Sequence, residues 1–144
     1  MNRAEEGVFF LTGKDFKNAG AAASELKGVL ENMGIPPDII RRVSIAAFES
    51  EMNTIIYAVA GMMNYWITPD EIKILVQDMG PGIENIDLAM TEGYSTAPDY
   101  IREMGFGSGM GLPNIKRNAD ILTVNSIVGE GTTVEFTINL AIDE

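Results

Sequence analysis

Apolar positions recur along the chain at two periods, and each change of period marks a new element. Gly7 to Thr12 (GVFFLT) is short and β-rich and predicts a strand. Ala22, Leu26, Val29, Leu30 and Met33 fall at helical spacing and predict a first helix ending near Gly34. Pro36-Pro37-Asp38 opens a second helix to about Tyr57, because proline is tolerated in a first helical turn. Its apolar stripe is read as Ile45, Phe48, Met52, Ile55 and Val59. Two strands follow, at Met62 to Ile67 and Glu71 to Asp78, joined by the turn Thr68-Pro69-Asp70.

Beyond Asp78 the pattern weakens. Gly80 to Tyr94 reads as a loop with one helical turn at Ile86 to Met90, and Ser95 to Met104 as a mobile loop. Gly105 to Gly111 leads into a helix near Leu112 to Asn118. Ile121 to Ile127 and Thr132 to Leu140 form a final hairpin around Gly129-Glu130-Gly131. In its last strand Val134, Phe136, Ile138 and Leu140 share one face, and Thr133, Glu135, Thr137 and Asn139 the other. Strands clustered with helices between them predict an α+β two-layer sandwich in a single domain spanning 1–144, a mixed sheet with helices on one face.

Three segments break this pattern. Glu49 and Asn53, four apart, share a face of the second helix; Ile45, Met52 and Ile56 place them at or inside its apolar stripe. A buried carboxylate needs a partner, so the pair either caps and bridges neighbours or serves a ligand. Glu51 points elsewhere and is the weaker candidate. Asp78-Met79-Gly80-Pro81-Gly82 leaves a strand with an acceptor at its end and glycines that admit close backbone approach, which an ordinary exit turn would also show. Gly105-Phe106-Gly107-Ser108-Gly109-Met110-Gly111 precedes a helix, where free N–H groups favour a phosphate. It matches neither the dinucleotide GxGxxG nor the Walker A pattern. Thr132 turns a hydroxyl toward the core side, which implies a ligand or water nearby.

Composition narrows the chemistry. Apolar residues make up 46%, enough for a core. No run is long enough to span a bilayer, and Met1 to Glu6 lacks the apolar region of a signal peptide, so a cytoplasmic protein without membrane association is expected. There is no cysteine and no histidine, which removes disulfides, thiol catalysis, Ser-His-Asp chemistry, His-ligated zinc and phosphohistidine. Any metal must take oxygen ligands, as Mg²⁺ or Ca²⁺ does. The net charge of −11 argues against nucleic acid, the basic clusters being only Arg41-Arg42 and Lys116-Arg117.

In order, these segments resemble the GHKL ATPase superfamily of gyrase, heat-shock chaperone, histidine kinase and mismatch-repair ATPases. Its E-x-x-x-N appears as Glu49 to Asn53, its D-x-G-x-G as Asp78 to Gly82, its phosphate loop as Gly107 to Leu112, and its G-x-G-T as Gly129 to Thr132. The likeness runs from about Ile35 to Leu140. Ile56 stands where sensor histidine kinases usually carry lysine, and 144 residues leave no room for a transducer domain. Glu92 to Thr96, Gly111 to Arg117 and Gly129 to Thr132 are most similar to the anti-sigma-factor and stressosome switch serine/threonine kinases of bacterial partner-switching systems.

The resemblance implies ATP and Mg²⁺ as cofactors and a small STAS-domain antagonist as the protein substrate. Glu49 would be the general base and Asn53 the Mg²⁺ ligand. Asp78, with Gly80 and Gly82, would bind adenine, helped by Thr132 through water. Gly107, Ser108, Gly109, Met110, Gly111 and Leu112 would hold the phosphates, and Ser95 to Met104 would form a lid. Relatives often dimerise. The alternative is an ATP-dependent module that sequesters a partner such as a sigma factor with little transfer. Two positions depart from the branch: Tyr57 where histidine is frequent, and Gly107 where a basic residue often stands, with Arg102 or Lys116 as substitutes.

Overall fold

The computed structural model describes residues 4–103 and 109–140. Its strands are β1 (Glu5–Thr12), β2 (Ala60–Ile67), β3 (Glu71–Asp78), β4 (Ile121–Ile127) and β5 (Gly131–Asn139). The helices are α1 (Ala21–Asn32), α2 (Pro37–Tyr57), α3 (Ile86–Ala89), α4 (Asp99–Glu103) and α5 (Gly111–Asn118), with a 3₁₀ turn at Phe16–Asn18. The strands form one sheet in the order β1-β2-β3-β5-β4. Helices cover one face of it, as the α+β sandwich requires.

All four strand pairings are antiparallel, which corrects the expected mixed sheet. The reason lies in the connections. A single crossover helix returns a strand parallel to its predecessor. Here α1 and α2 form a helical hairpin that leaves and re-enters the sheet at one end. Thr12 faces Ala60 in the ladder, and Gly13 N–H bonds Val59 C=O at 2.8 Å. β5 turns back from β4 and slots between it and β3.

The inner sheet face carries Met63, Tyr65, Ile67, Ile72, Ile74, Val76, Val134, Phe136 and Ile138, all buried. It packs on Leu26 and Leu30 of α1, Val43, Ala46 and Ala47 of α2, and Leu112 and Ile115 of α5. Each large side chain buried there stabilises the fold by about 1.5–3 kcal/mol.

The stripe read for α2 was too narrow. Phe48 and Val59 are exposed, while Val43, Ala46, Ala47, Ser50 and Thr54 are buried. Small residues let the sheet and neighbouring helices approach α2 closely, and Ser50 Oγ donates to Ala46 C=O at 2.8 Å. The carbonyls at the end of α2 are capped by Lys14, a non-glycine at φ +64°. Its N–H donates to Ile55 C=O at 2.8 Å and its Nζ to Ile56 C=O.

The segment expected to be a mobile loop holds α4, with Ile101 and Ala97 fully buried. They join Met52, Ile55 and Ile56 of α2 in a second apolar cluster flanked by Phe16, Ala19 and Tyr57. Two apolar anchors, Ala97 and Ile101, suffice because α2 offers them an apolar surface. Met104, the end of that segment, lies outside the described residues.

Candidate active site

A cleft of about 760 Å³ opens between α2, the loop after β3, the segment before α4 and the start of α5. Glu49, Asn53, Asp78, Gly82, Gly109, Gly111, Leu112 and Thr132 all line it, so residues far apart in sequence converge on one cavity. Gly80 and Met110 flank it in sequence without lining it. Gly107 and Ser108 lie outside the described residues. So does the side chain of Arg102, while Lys116 lines a separate groove beside β4.

One end of the cleft is built on Asp78, the last residue of β3. Its Oδ1 accepts from Thr132 N–H at 3.1 Å, and Gly80 N–H also donates to the carboxylate. Burial pushes its pKa up from the ordinary aspartate value, and these two backbone bonds pull partly back. The glycines have a steric role here. A Cβ on Gly131 would run into the Asp78 carbonyl, and one on Gly82, at φ +81°, into Ile127 C=O. Thr132 Oγ1 is 2.9 Å from Ser126 Oγ, which also accepts from Ile83 N–H at 2.7 Å. Ser126 therefore ties the loop after β3 to the β4–β5 hairpin. Sequence reading missed it; a hydroxyl on the inward alternation of β4 was its only signal.

The other end is built on α2 and α5. Glu49 and Asn53 are half-buried on the cleft side of α2. Glu49 Oε2 accepts from Asn114 Nδ2 at 2.9 Å. Its other oxygen lies 3.7 Å from where a Cβ on Gly111 would stand, beside the start of α5. The N-cap residue of α5, Met110, makes no side-chain capping bond, and among the described residues no side chain bonds the Gly111 or Leu112 N–H. Gly93 N–H bonds Gly109 C=O at 3.0 Å, both glycines at positive φ, and this holds the described end of the glycine-rich loop at the cleft rim.

Glu51 does point away from the cleft. It is not an idle surface residue, however: it is 2% exposed, and its carboxylate accepts from Gly20, Ala22 and Ala23 N–H at 2.9–3.3 Å. It therefore caps α1 from a distance, satisfying N–H groups that no local side chain reaches. The capping role considered for Glu49 and Asn53 falls to their neighbour.

The cleft suits a nucleotide. It offers a half-buried acceptor in Asp78, the start of a helix in α5 and apolar walls such as Met52, Ile56 and Leu112. Among the described residues no group of three acidic side chains could hold a metal unaided. A cation here would share its ligands with the nucleotide, and Asn53 is among the oxygen-bearing side chains that line the cleft.

Residues 41–142 match the family model of histidine kinase-, DNA gyrase B- and HSP90-like ATPases. The chain is 33% identical to the serine/threonine-protein kinase RsbT of Bacillus subtilis, over 79% of this chain and 84% of that protein. It is 34% identical to the anti-sigma F factor of Clostridium acetobutylicum over 85% of this chain and 80% of that protein. It shares the same identity with the anti-sigma F factor of Clostridium beijerinckii over 67% and 68%. The chain therefore belongs to the histidine kinase-, DNA gyrase B- and HSP90-like ATPase family, on the partner-switching branch that holds RsbT and the anti-sigma F factors, and it binds ATP.

Proposed function

We propose that this ATP-dependent serine/threonine kinase transfers the γ-phosphoryl group to a Ser or Thr hydroxyl of a small STAS-domain antagonist in a bacterial partner-switching system. The observation that carries the reading is the pairing of Glu49 and Asn53 on the cleft side of α2, with Glu49 beside the start of α5. The incoming hydroxyl oxygen bonds to the γ-phosphorus, the bond to the β,γ-bridging oxygen breaks, and ADP leaves. Glu49 takes the hydroxyl proton. Bound Mg²⁺, held by the Asn53 side-chain oxygen and the phosphates, would neutralise charge on the transferring group. Asp78 accepts from the adenine amino group, and Thr132 supports it through water.

Incubation with γ-labelled ATP, Mg²⁺ and a STAS-domain protein should place label on a serine or threonine. Glu49→Gln should cut transfer by about 10²–10⁴-fold and change ATP affinity only a few-fold, because a base acts on the chemical step. Asn53→Ala should weaken both. Full transfer by Glu49→Gln would remove the base assignment.

The similarity to anti-sigma F factors favours a second reading, an ATP-dependent module that sequesters a sigma factor. A stable, nucleotide-dependent complex with a sigma factor, and no label on any STAS protein, would select it. We propose further that 1–144 acts as one domain.

A further inference from the structure

The bond between Glu49 and Asn114 belongs to a longer chain of contacts. Asn114 Nδ2 donates to Glu49 Oε2 at 2.9 Å, and Asn114 Oδ1 accepts from Arg117 Nη1 at 2.6 Å. Arg117 in turn pairs with Glu92, just before the rim glycine Gly93. The two ends fix the direction of the amide. A carboxylate at neutral pH only accepts and a guanidinium only donates, so Nδ2 must face Glu49 and Oδ1 must face Arg117.

We infer that Asn114 is a positioning residue for Glu49, and that Arg117 sets the amide so that its donor faces the carboxylate. This rests on the reading of Glu49 as the base. A glutamate on a helix has three side-chain torsions and several rotamers of similar energy. One bond to Oε2, made from α5, selects the rotamer that leaves Oε1 beside Gly111 at the start of that helix. An amide suits this task. A lysine or arginine there would compete with the proton that a base must take up, whereas a neutral donor orients the carboxylate and adds no charge. Asn114 also has the stiffness to act. Its backbone N–H is bonded to Met110 C=O at 2.8 Å, and its carbonyl accepts from Asn118 Nδ2 at 2.8 Å.

The turnover test uses the full chain and four variants: Asn114→Ala, the isostere Asn114→Asp, Glu49→Gln and the double variant Glu49→Gln/Asn114→Ala. ATP turnover with Mg²⁺ is read as kcat and KM separately. Misplacing a reacting group by about an ångström costs up to ~10²-fold. Asn114→Ala should therefore lower kcat about 10–100-fold and leave KM for ATP within about twofold. Asn114→Asp keeps the shape and replaces the donor by a like charge, so it should fall at least as far. In the Glu49→Gln background, removing Asn114 should cost less than about twofold more, because the group it positions is gone. Equal losses in both backgrounds would mean a purely structural Asn114 and would overturn the inference. Wild-type kcat in Glu49→Gln would instead overturn the base assignment. Glu49→Gln inactive with Asn114→Ala and Asn114→Asp at wild-type kcat would overturn the positioning alone. A second readout needs no turnover: the Asn114 side-chain amide protons in a nitrogen-correlated NMR spectrum. They should shift and exchange faster in Glu49→Ala, and an unmoved resonance there would show that the contact is not made.

Discussion

Asp78 carries a structural cost that the proposed recognition of adenine would account for. Its pKa is raised by burial, so the folded protein holds that proton more tightly than the unfolded chain does. For a carboxylate raised in this way, stability falls as pH climbs from the unfolded value, near 3.9, through the folded one. At neutral pH the ionised group therefore weighs against folding. Asp78→Asn should relieve that burden and raise the Tm of the nucleotide-free protein. It should also change what binds. Thr132 N–H would hold the amide oxygen, as it now holds Oδ1 at 3.1 Å, and would leave the NH₂ facing the base. An NH₂ meets the adenine amino group donor to donor, but it meets the guanine carbonyl as a partner. A bond to a charged acceptor is worth ~1.5–3 kcal/mol, so ATP affinity should drop roughly 10–150-fold and the preference for ATP over GTP should shrink at least tenfold. Calorimetry with both nucleotides, beside thermal melts of the free protein, checks this. An unaltered ATP/GTP ratio would show that Asp78 does not read the base.

At the scale of elements, Glu51 ties α2 to α1. Replacing it by alanine leaves the N–H groups of Gly20, Ala22 and Ala23 without an acceptor inside the fold. Glu51→Ala should cost about 2–4 kcal/mol, and Glu51→Gln, which keeps one acceptor oxygen, less. Urea unfolding measures both; a wild-type midpoint for Glu51→Ala would remove the capping role. Activity per folded molecule should stay near wild type, because the carboxylate does not line the cleft.

The same contact marks what the sequence could and could not reveal. Strand alternation in β5, the Pro36-Pro37 start of α2 and the turns were legible because their causes are local. The convergence of Glu49, Asn53, Asp78 and Thr132 was legible only because four weak motifs stand in one order. The partner of Glu51 lies on another helix about thirty residues away. The burial of Ile101 depends on a surface that α2 offers, and the Asn114 bond on how α5 packs against α2. No window along the chain contains those causes. Where neighbours cover most of a helix, as they do the second half of α2, the apolar pattern on its wheel does not give a polar residue's direction.

Over the whole molecule, charge sets the approach of the nucleotide. The chain has 10 basic and 21 acidic residues. Several of its cations are already engaged: Arg42 with Asp120, Lys73 with Glu71, Arg117 with Glu92, and Lys14 on the end of α2. Mg·ATP is itself an anion, so its encounter with a protein of net charge −11 is repulsive at long range. The Debye length falls from about 20 Å at 20 mM salt to ~8 Å at 150 mM, which screens that repulsion. The association rate should therefore rise about 2–5-fold over this range at fixed excess Mg²⁺. The dissociation rate depends on bonds made inside the cleft and should stay within about twofold. The affinity would then tighten with salt, the reverse of what a basic phosphate site shows. Stopped-flow fluorescence with a labelled adenine nucleotide in rising KCl separates the two rates. An association rate that falls with salt would mean that a local positive field at the cleft mouth outweighs the charge of the molecule as a whole.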